Sequence, residues 1–294
     1  MYIKCKAFFL LWMGAAVLSV VQAQTVSLEL RPGFYLQAAY DQPQHNDKRV
    51  AVLVQHGFLT TNQFHTIRSI VQAINDLGLS ALSPNMSYGI SERRDSLKCD
   101  SLHTHTLEDN RMEINAWVDW LVAQGYEHIV LLGHSSGSQD LLFSQATEPH
   151  SAVALLIVTS VFYFNGEGVG AKASDWSRAR HMMLTGSPRP ASFSLLFCQD
   201  NFYATPQSLL SYSQLTRQQN LANFAYIAVP VHAIMGTSDE ILQNVGVDWL
   251  DDLVRVGVEM HLIDGANHFF SSLHEFDLQE RLLTILTAFN AERN

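Results

Sequence analysis

Positive charge is scarce in this chain of 294 residues: 18 Lys and Arg stand against 28 Asp and Glu, a formal net charge of −10. That balance offers no basic patch for nucleic acid or for an anionic membrane surface, and it argues against both as partners. Cysteine is also scarce, with three in the whole sequence, far below the density of a small disulfide scaffold. Internal repeats, low-complexity tracts and linkers are absent, so the length suits one large domain with a sizeable core. A single long apolar stretch stands out, Ala7 to Val21 behind Lys4 and Lys6, and it falls short of the roughly 20 residues that span a bilayer. Because Val21-Gln22-Ala23 follows as a small-residue cleavage site, Met1 to Ala23 reads as a secretory signal peptide, removed with Cys5. The expected mature chain starts at Gln24, is exported to a periplasm or beyond, and keeps no stable membrane anchor.

What is present is an alternation of short apolar runs with helical patterns. Strands are predicted at Val50 to Gln55, Leu79 to Ser83, His128 to Leu132, Val153 to Val158, Val231 to Met235 and Val258 to Ile263. Helices are predicted at Thr66 to Leu77, Leu107 to Ala123, Ser138 to Thr147, Glu240 to Val256 and Gln279 to Glu292. Near-continuous apolar strands between helices imply an α/β fold with a mostly parallel, doubly wound sheet covered on both faces. Thr25 to Asp41 would add an antiparallel pair at its edge. One segment, Val161 to Ile227, is too long for a simple crossover between two core strands.

Chemistry concentrates after the third predicted strand, where Gly133-His134-Ser135-Ser136-Gly137 has the form Gly-x-Ser-x-Gly. A serine on a sharp strand-to-helix turn needs flanking glycines, since side chains there would collide with neighbouring backbone. A lone match to this pattern is weak, and the strand before it and helix after it supply the context. Ser135 is the candidate nucleophile. A hydroxyl needs a base to take its proton, and that base needs an acid to orient it. Asp239, in the polar turn after Val231 to Met235, is the candidate acid, with Glu240 and Asp264 as rivals. His268, in the loop after Val258 to Ile263, is the candidate base.

With the order Ser, Asp, His and the strand ending in His56-Gly57-Phe58, the chain resembles the α/β-hydrolase fold superfamily from about Val50 to its C-terminus. The resemblance implies an oxyanion hole made by the backbone N–H groups of Phe58 and Ser136. It also implies that residues 161–227 form a helical cap over the nucleophile. The cap holds Phe162, Phe164, Trp176, Phe193, Phe197 and Phe202 among other large apolar residues, which suits a pocket for an apolar acyl or alkyl group, although many must pack the cap itself.

The remaining cysteines, Cys99 and Cys198, can pair as a disulfide in an oxidising compartment or stand as two thiols. His56 and His134 flank the centre as packing or hydrogen-bonding residues. His103 and His105 lack a second ligand group at zinc spacing, so no metal is expected. The implied activity is serine hydrolysis of carboxylic esters of small molecules, with no metal or organic cofactor, falling below about pH 6 to 7 because the catalytic imidazole must be neutral. Thioesterase, amidase and acyltransferase chemistry use the same triad, and a non-catalytic ligand-binding protein on the same fold stays open as a reading from another class.

Overall fold

The apolar runs of the sequence become the middle of one eight-stranded sheet. The computed structural model describes residues 21–43, 49–166 and 169–293, so the segment read as a signal peptide lies outside the described residues except for positions 21–23. Ten strands and nine α-helices are described: β1 (Val21–Arg31), β2 (Phe34–Pro43), β3 (Val50–Gln55), α1 (His65–Asp76), β4 (Ser80–Asn85), α2 (Leu107–Ala123), β5 (His128–His134), α3 (Ser136–Thr147) and β6 (Val153–Thr159) make the first half. The second half holds α4 (Ala173–Leu184), β7 (Ala191–Leu195), β8 (Cys198–Ala204), α5 (Pro206–Ser211), α6 (Arg217–Tyr226), β9 (Val231–Gly236), α7 (Glu240–Val245), α8 (Asp248–Arg255), β10 (Glu259–Ile263) and α9 (His274–Ala291).

The sheet order is β1-β2-β4-β3-β5-β6-β9-β10. β1 pairs with β2, and β2 with β4, in antiparallel register; every later pairing in this sheet is parallel. This is the expected doubly wound sheet with an antiparallel edge. β3 shows why its sequence has no alternation: all six residues are buried, because layers cover both faces. On one face Val52, Val54 and Val130 pack with Ile70 of α1 and with Leu278, Leu282 and Ile285 of α9. On the other, Leu53, Leu131 and Leu156 pack with Trp117 of α2 and Leu141 of α3. The start of α2 is fixed by a capping box, in which Thr106 Oγ1 accepts from the Asp109 N–H and the Asp109 carboxylate accepts from the Thr106 N–H.

Two local expectations differ from the fold. Glu240 to Val256 is two helices rather than one, since Gly246 takes φ 99° between α7 and α8, a conformation that stops a right-handed helix. The segment over the site is not wholly helical either. Beside α4, α5 and α6 it contains the antiparallel pair β7 and β8, in which Phe193 faces Phe202 and both are fully buried. Cys99 and Cys198 are joined by a disulfide that ties the loop before α2 to β8. Backbone hydrogen bonds from Tyr203 N to Cys99 O and from His103 N to Tyr203 O extend the same junction.

Candidate active site

The turn between β5 and α3 places Ser135 at φ 59° and ψ −127°, a strained backbone region for a residue with a side chain. Its neighbours permit this only as glycines. A Cβ on Gly133 would lie 2.6 Å from the Ser138 nitrogen, and one on Gly137 would lie 2.4 Å from the His56 oxygen. The turn is held by the Ser135 N–H donating to Thr159 O at 2.9 Å and by Ser138 Oγ donating to Gly133 O at 2.8 Å.

Around Ser135 the fold assembles residues far apart in sequence. His268 Nε2 lies 2.9 Å from Ser135 Oγ, and His268 Nδ1 lies 2.8 Å from Asp239 Oδ2. Asp239 is 1% exposed, and its other oxygen caps α7 by accepting from Ile241 N at 2.8 Å and Leu242 N at 3.4 Å. Of the rival acids, Glu240 is exposed, and Asp264 is exposed and accepts from Thr237 Oγ1 at 3.0 Å. The loop that carries His268 is pinned on both sides. Ser160 Oγ donates to His268 O at 2.8 Å, Thr66 Oγ1 donates to Phe269 O at 3.0 Å, and Asn267 Oδ1 accepts from the N–H groups of Phe269 and Ser271.

Of the two residues whose amides the resemblance assigns to an oxyanion hole, Ser136 follows Ser135 directly and Phe58 lines the same cavity as the serine. Ser136 is the first residue of α3, where a helix leaves its N–H groups without intrahelical acceptors. Gly57 sits against the nucleophile, a Cβ there falling 3.6 Å from Ser135 Oγ. The Gly57–Phe58 peptide is oriented from behind by His56, whose Nδ1 donates to Gly57 O at 2.8 Å. His56 Nε2 therefore accepts, from Met86 N at 3.1 Å and from the Arg93 guanidinium at 3.0 Å. Complete burial, reinforced by Arg93, pushes this imidazole down to about 3, which keeps it neutral. His134, the other flanking histidine, bonds Thr159 Oγ1 at 2.9 Å and lies 5.4 Å, ring to ring, from His268; burial also holds it well below the usual range. Both are the hydrogen-bonding residues expected, but the link from His56 to the Gly57–Phe58 peptide was not legible beforehand.

Ser135 and His268 open into a cavity of about 490 Å3, lined mainly by Phe58, Phe64, Phe162, Phe197, Phe269 and Ile241. Phe162 and Phe197 come from the segment between β6 and β9, whereas Phe193, Phe202 and Phe224 from that segment are buried away from the cavity. Phe64, Ile241 and Phe269 lie outside the segment singled out in the sequence. His103 and His105 belong to this packing too: His103 stacks on Phe202 with centroids 4.4 Å apart, and His105 Nε2 meets Tyr212 Oη at 2.6 Å.

The sequence model described as "Alpha/beta hydrolase family" matches residues 51–280, most of the chain. The chain belongs to this family. Among solved structures, this alpha/beta hydrolase is similar to Est1E from Butyrivibrio proteoclasticus, with a TM-score of 0.63 and 18% identity over 92% of this chain and 99% of that one. The same enzyme with ferulic acid bound gives 0.65 and 19% over 90% and 99%. The esterase domain of a Rhodothermus marinus protein gives 0.59 and 17% over 90% and 97%. At these identities the likeness shows the fold alone. No curated protein matches the sequence.

Proposed function

We propose that this alpha/beta hydrolase is an exported serine esterase acting on small esters with an apolar acyl or alkyl group. The observation that carries the reading is the continuous chain from Asp239 through His268 to Ser135, ending in an apolar cavity. Ser135 Oγ attacks the acyl carbon while His268 Nε2 takes its proton. Asp239, bonded to Nδ1, holds the ring in the tautomer that leaves Nε2 free to accept, and stabilises the imidazolium that forms. The carbonyl oxygen becomes an oxyanion and is received by the N–H groups of Phe58 and Ser136. His268 then gives its proton to the departing alcohol, leaving an acyl group on Ser135. Water, deprotonated by His268, attacks that acyl carbon, and Ser135 leaves as the regenerated hydroxyl. The residues required are all supplied by the chain, and the reaction calls for no metal or organic cofactor.

Export is supported by the leading apolar segment of the sequence and by the Cys99–Cys198 disulfide, which suits an oxidising compartment. Among the described residues no helix is long and apolar enough to cross a membrane.

Hydrolysis of p-nitrophenyl esters from acetate to palmitate by the chain from Gln24, with Ser135→Ala purified in parallel, tests the proposal. Expected is turnover with a chain-length optimum, reduced on the order of 10⁴- to 10⁶-fold in the variant. A methyl ferulate arm probes whether the Phe-lined cavity accepts an aromatic acyl group. Inertness toward every ester, together with no labelling of Ser135 by a fluorophosphonate, overturns the reading in favour of a non-catalytic binding protein.

A further inference from the structure

A second cluster of ligand-bearing side chains lies at the opposite end of the sheet from Ser135. β9 and β10 run parallel with Glu259 beside His232, and His261 two residues further along β10. A two-residue step returns a side chain to the same face, so all three project from one side of the sheet. That is the face on which Ile234 and Ile263 pack into the layer of α1 and α9. The strands open at this end, whereas Asp239 and His268 follow their closing ends. His232 Nδ1 and His261 Nε2 stand 3.0 Å apart, and Glu259 Oε1 is 3.7 Å from the first and 3.6 Å from the second.

We infer that His232, Glu259 and His261 form a binding site for a divalent transition-metal ion of the zinc type, which ties β9 to the sheet's edge strand β10. The three ligand atoms form a near-regular triangle. Two ligands held about 2.0 to 2.1 Å from one zinc ion at a tetrahedral angle stand roughly 3.4 Å apart, and the observed separations bracket that value. Two imidazoles and one carboxylate are a donor set that zinc, nickel and copper favour over magnesium or calcium. The imidazoles are 16% and 14% exposed and stacked, with centroids 5.2 Å apart, so their orientation is already fixed. The Glu259 side chain is 64% exposed, leaving the outer side of the triangle open for an ion to enter and for water to complete its shell. Arg281 of α9 is within electrostatic reach of His261 and opposes a bound cation, while Glu259 favours one. The site has no part in the ester chemistry proposed above, and its test does not depend on it.

The full mature chain, freed of metal with EDTA, is titrated with ZnCl2 by calorimetry, and its thermal midpoint is measured with and without excess Zn2+. Expected are one strongly bound ion per chain and a higher midpoint, because a ligand that binds only the folded state stabilises it. His261→Ala and Glu259→Gln should each weaken binding by at least the roughly 10- to 100-fold that loss of an outer-sphere partner typically costs. Arg281→Gln should tighten it. Absence of saturable binding by the wild type overturns the inference, as does unchanged affinity in Glu259→Gln and His261→Ala, which would put the ion on other histidines. If His261→Ala does not fold, Glu259→Gln, at an exposed position, decides the question alone.

Discussion

The hydroxyl of Ser160 donates to the carbonyl oxygen of His268 at 2.8 Å, joining the end of β6 to the loop that carries the proposed base. Ser160 itself is held at φ 49°, with its N–H bonded to Ile234 O. The bond therefore fixes the His268 backbone against the sheet rather than against another loop. Ser160→Ala leaves a buried carbonyl without this donor and frees the loop. We expect kcat to fall about tenfold, the equivalent of roughly 1.4 kcal/mol, with little change in KM. Steady-state kinetics on one p-nitrophenyl ester decide it; an unchanged kcat means the loop is held well enough by Asn267 and Thr66 alone.

His56 bonds Gly57 O and so orients the Gly57–Phe58 peptide proposed to bind the oxyanion, and Arg93 steadies His56 from its far side. Removing an oxyanion donor outright costs roughly 2.7 to 4 kcal/mol, so misorienting the Phe58 amide should cost a part of that. His56→Ala is expected to lower kcat by one to two orders of magnitude, roughly 1.4 to 2.7 kcal/mol. Binding of a boronic acid that mimics the tetrahedral intermediate should weaken in parallel, while binding of a neutral, non-hydrolysable substrate analogue should not. Equal weakening of both would assign His56 a general packing role instead.

Two carboxyl groups beneath the site set a pH dependence of stability. Burial pushes Glu113 and Asp140 up to about 7 each, partly offset by hydrogen bonds from Ser87 to Glu113 and from Asn110 to Asp140. Their folded pKa values exceed the unfolded ones near 4, so the folded state holds the proton more tightly. Their contribution to stability is thus full below about pH 4 and is lost as pH rises toward 7. In Asp140→Asn the share of this loss that comes from Asp140 is absent, while that of Glu113 remains. Calorimetric midpoints from pH 4 to 8 should show the variant gaining on the wild type by several degrees, on the order of 2 to 4 °C per kcal/mol. A constant offset across that range would show that Asp140 keeps an ordinary pKa.

The Cys99–Cys198 disulfide closes a loop over a sequence separation of 99 and lies next to Phe197 of the cavity wall. Cross-links of this span typically contribute about 2 to 5 kcal/mol. Paired Cys99→Ser and Cys198→Ser should lower the midpoint by roughly 5 to 15 °C. They should also raise KM for long acyl esters more than for acetate, since Phe197 loses its anchor. A uniform change across chain lengths would separate the bond's stabilising role from any role in shaping the cavity.

Much of this was legible in one dimension. The strand over Val50–Gln55 and the helix over Leu107–Ala123 could be bounded from sequence because an apolar run and a helical pattern mark them by local physics. The turn around Ser135 was legible from its Gly-x-Ser-x-Gly pattern, although the collisions that demand the glycines are local only at Gly133; those at Gly137 are with the backbone of Gln55 and His56 at the end of the neighbouring strand β3. Where the signal was a long amphipathic stretch, as over Glu240 to Val256, periodicity could not reveal that Gly246 would leave the helical region, because an isolated glycine is compatible with either outcome.

The sequence by itself determined the element order and the glycine-flanked turn at Ser135, since apolar runs, helical periodicity and the Gly-x-Ser-x-Gly pattern are written in neighbouring residues, and it placed Asp239 and His268 after that turn as candidates. Only tertiary structure decided that Asp239 rather than Glu240 or Asp264 meets His268, because that choice rests on a 2.8 Å contact across 29 residues. It likewise decided that Phe162 and Phe197 face the cavity while Phe193 and Phe202 pack the layer behind, although all four look alike in sequence. The same holds for the meeting of His232 with Glu259 and His261, which needs the parallel register of β9 and β10. Burial and strand register are properties of the assembled chain, and no local pattern encodes them.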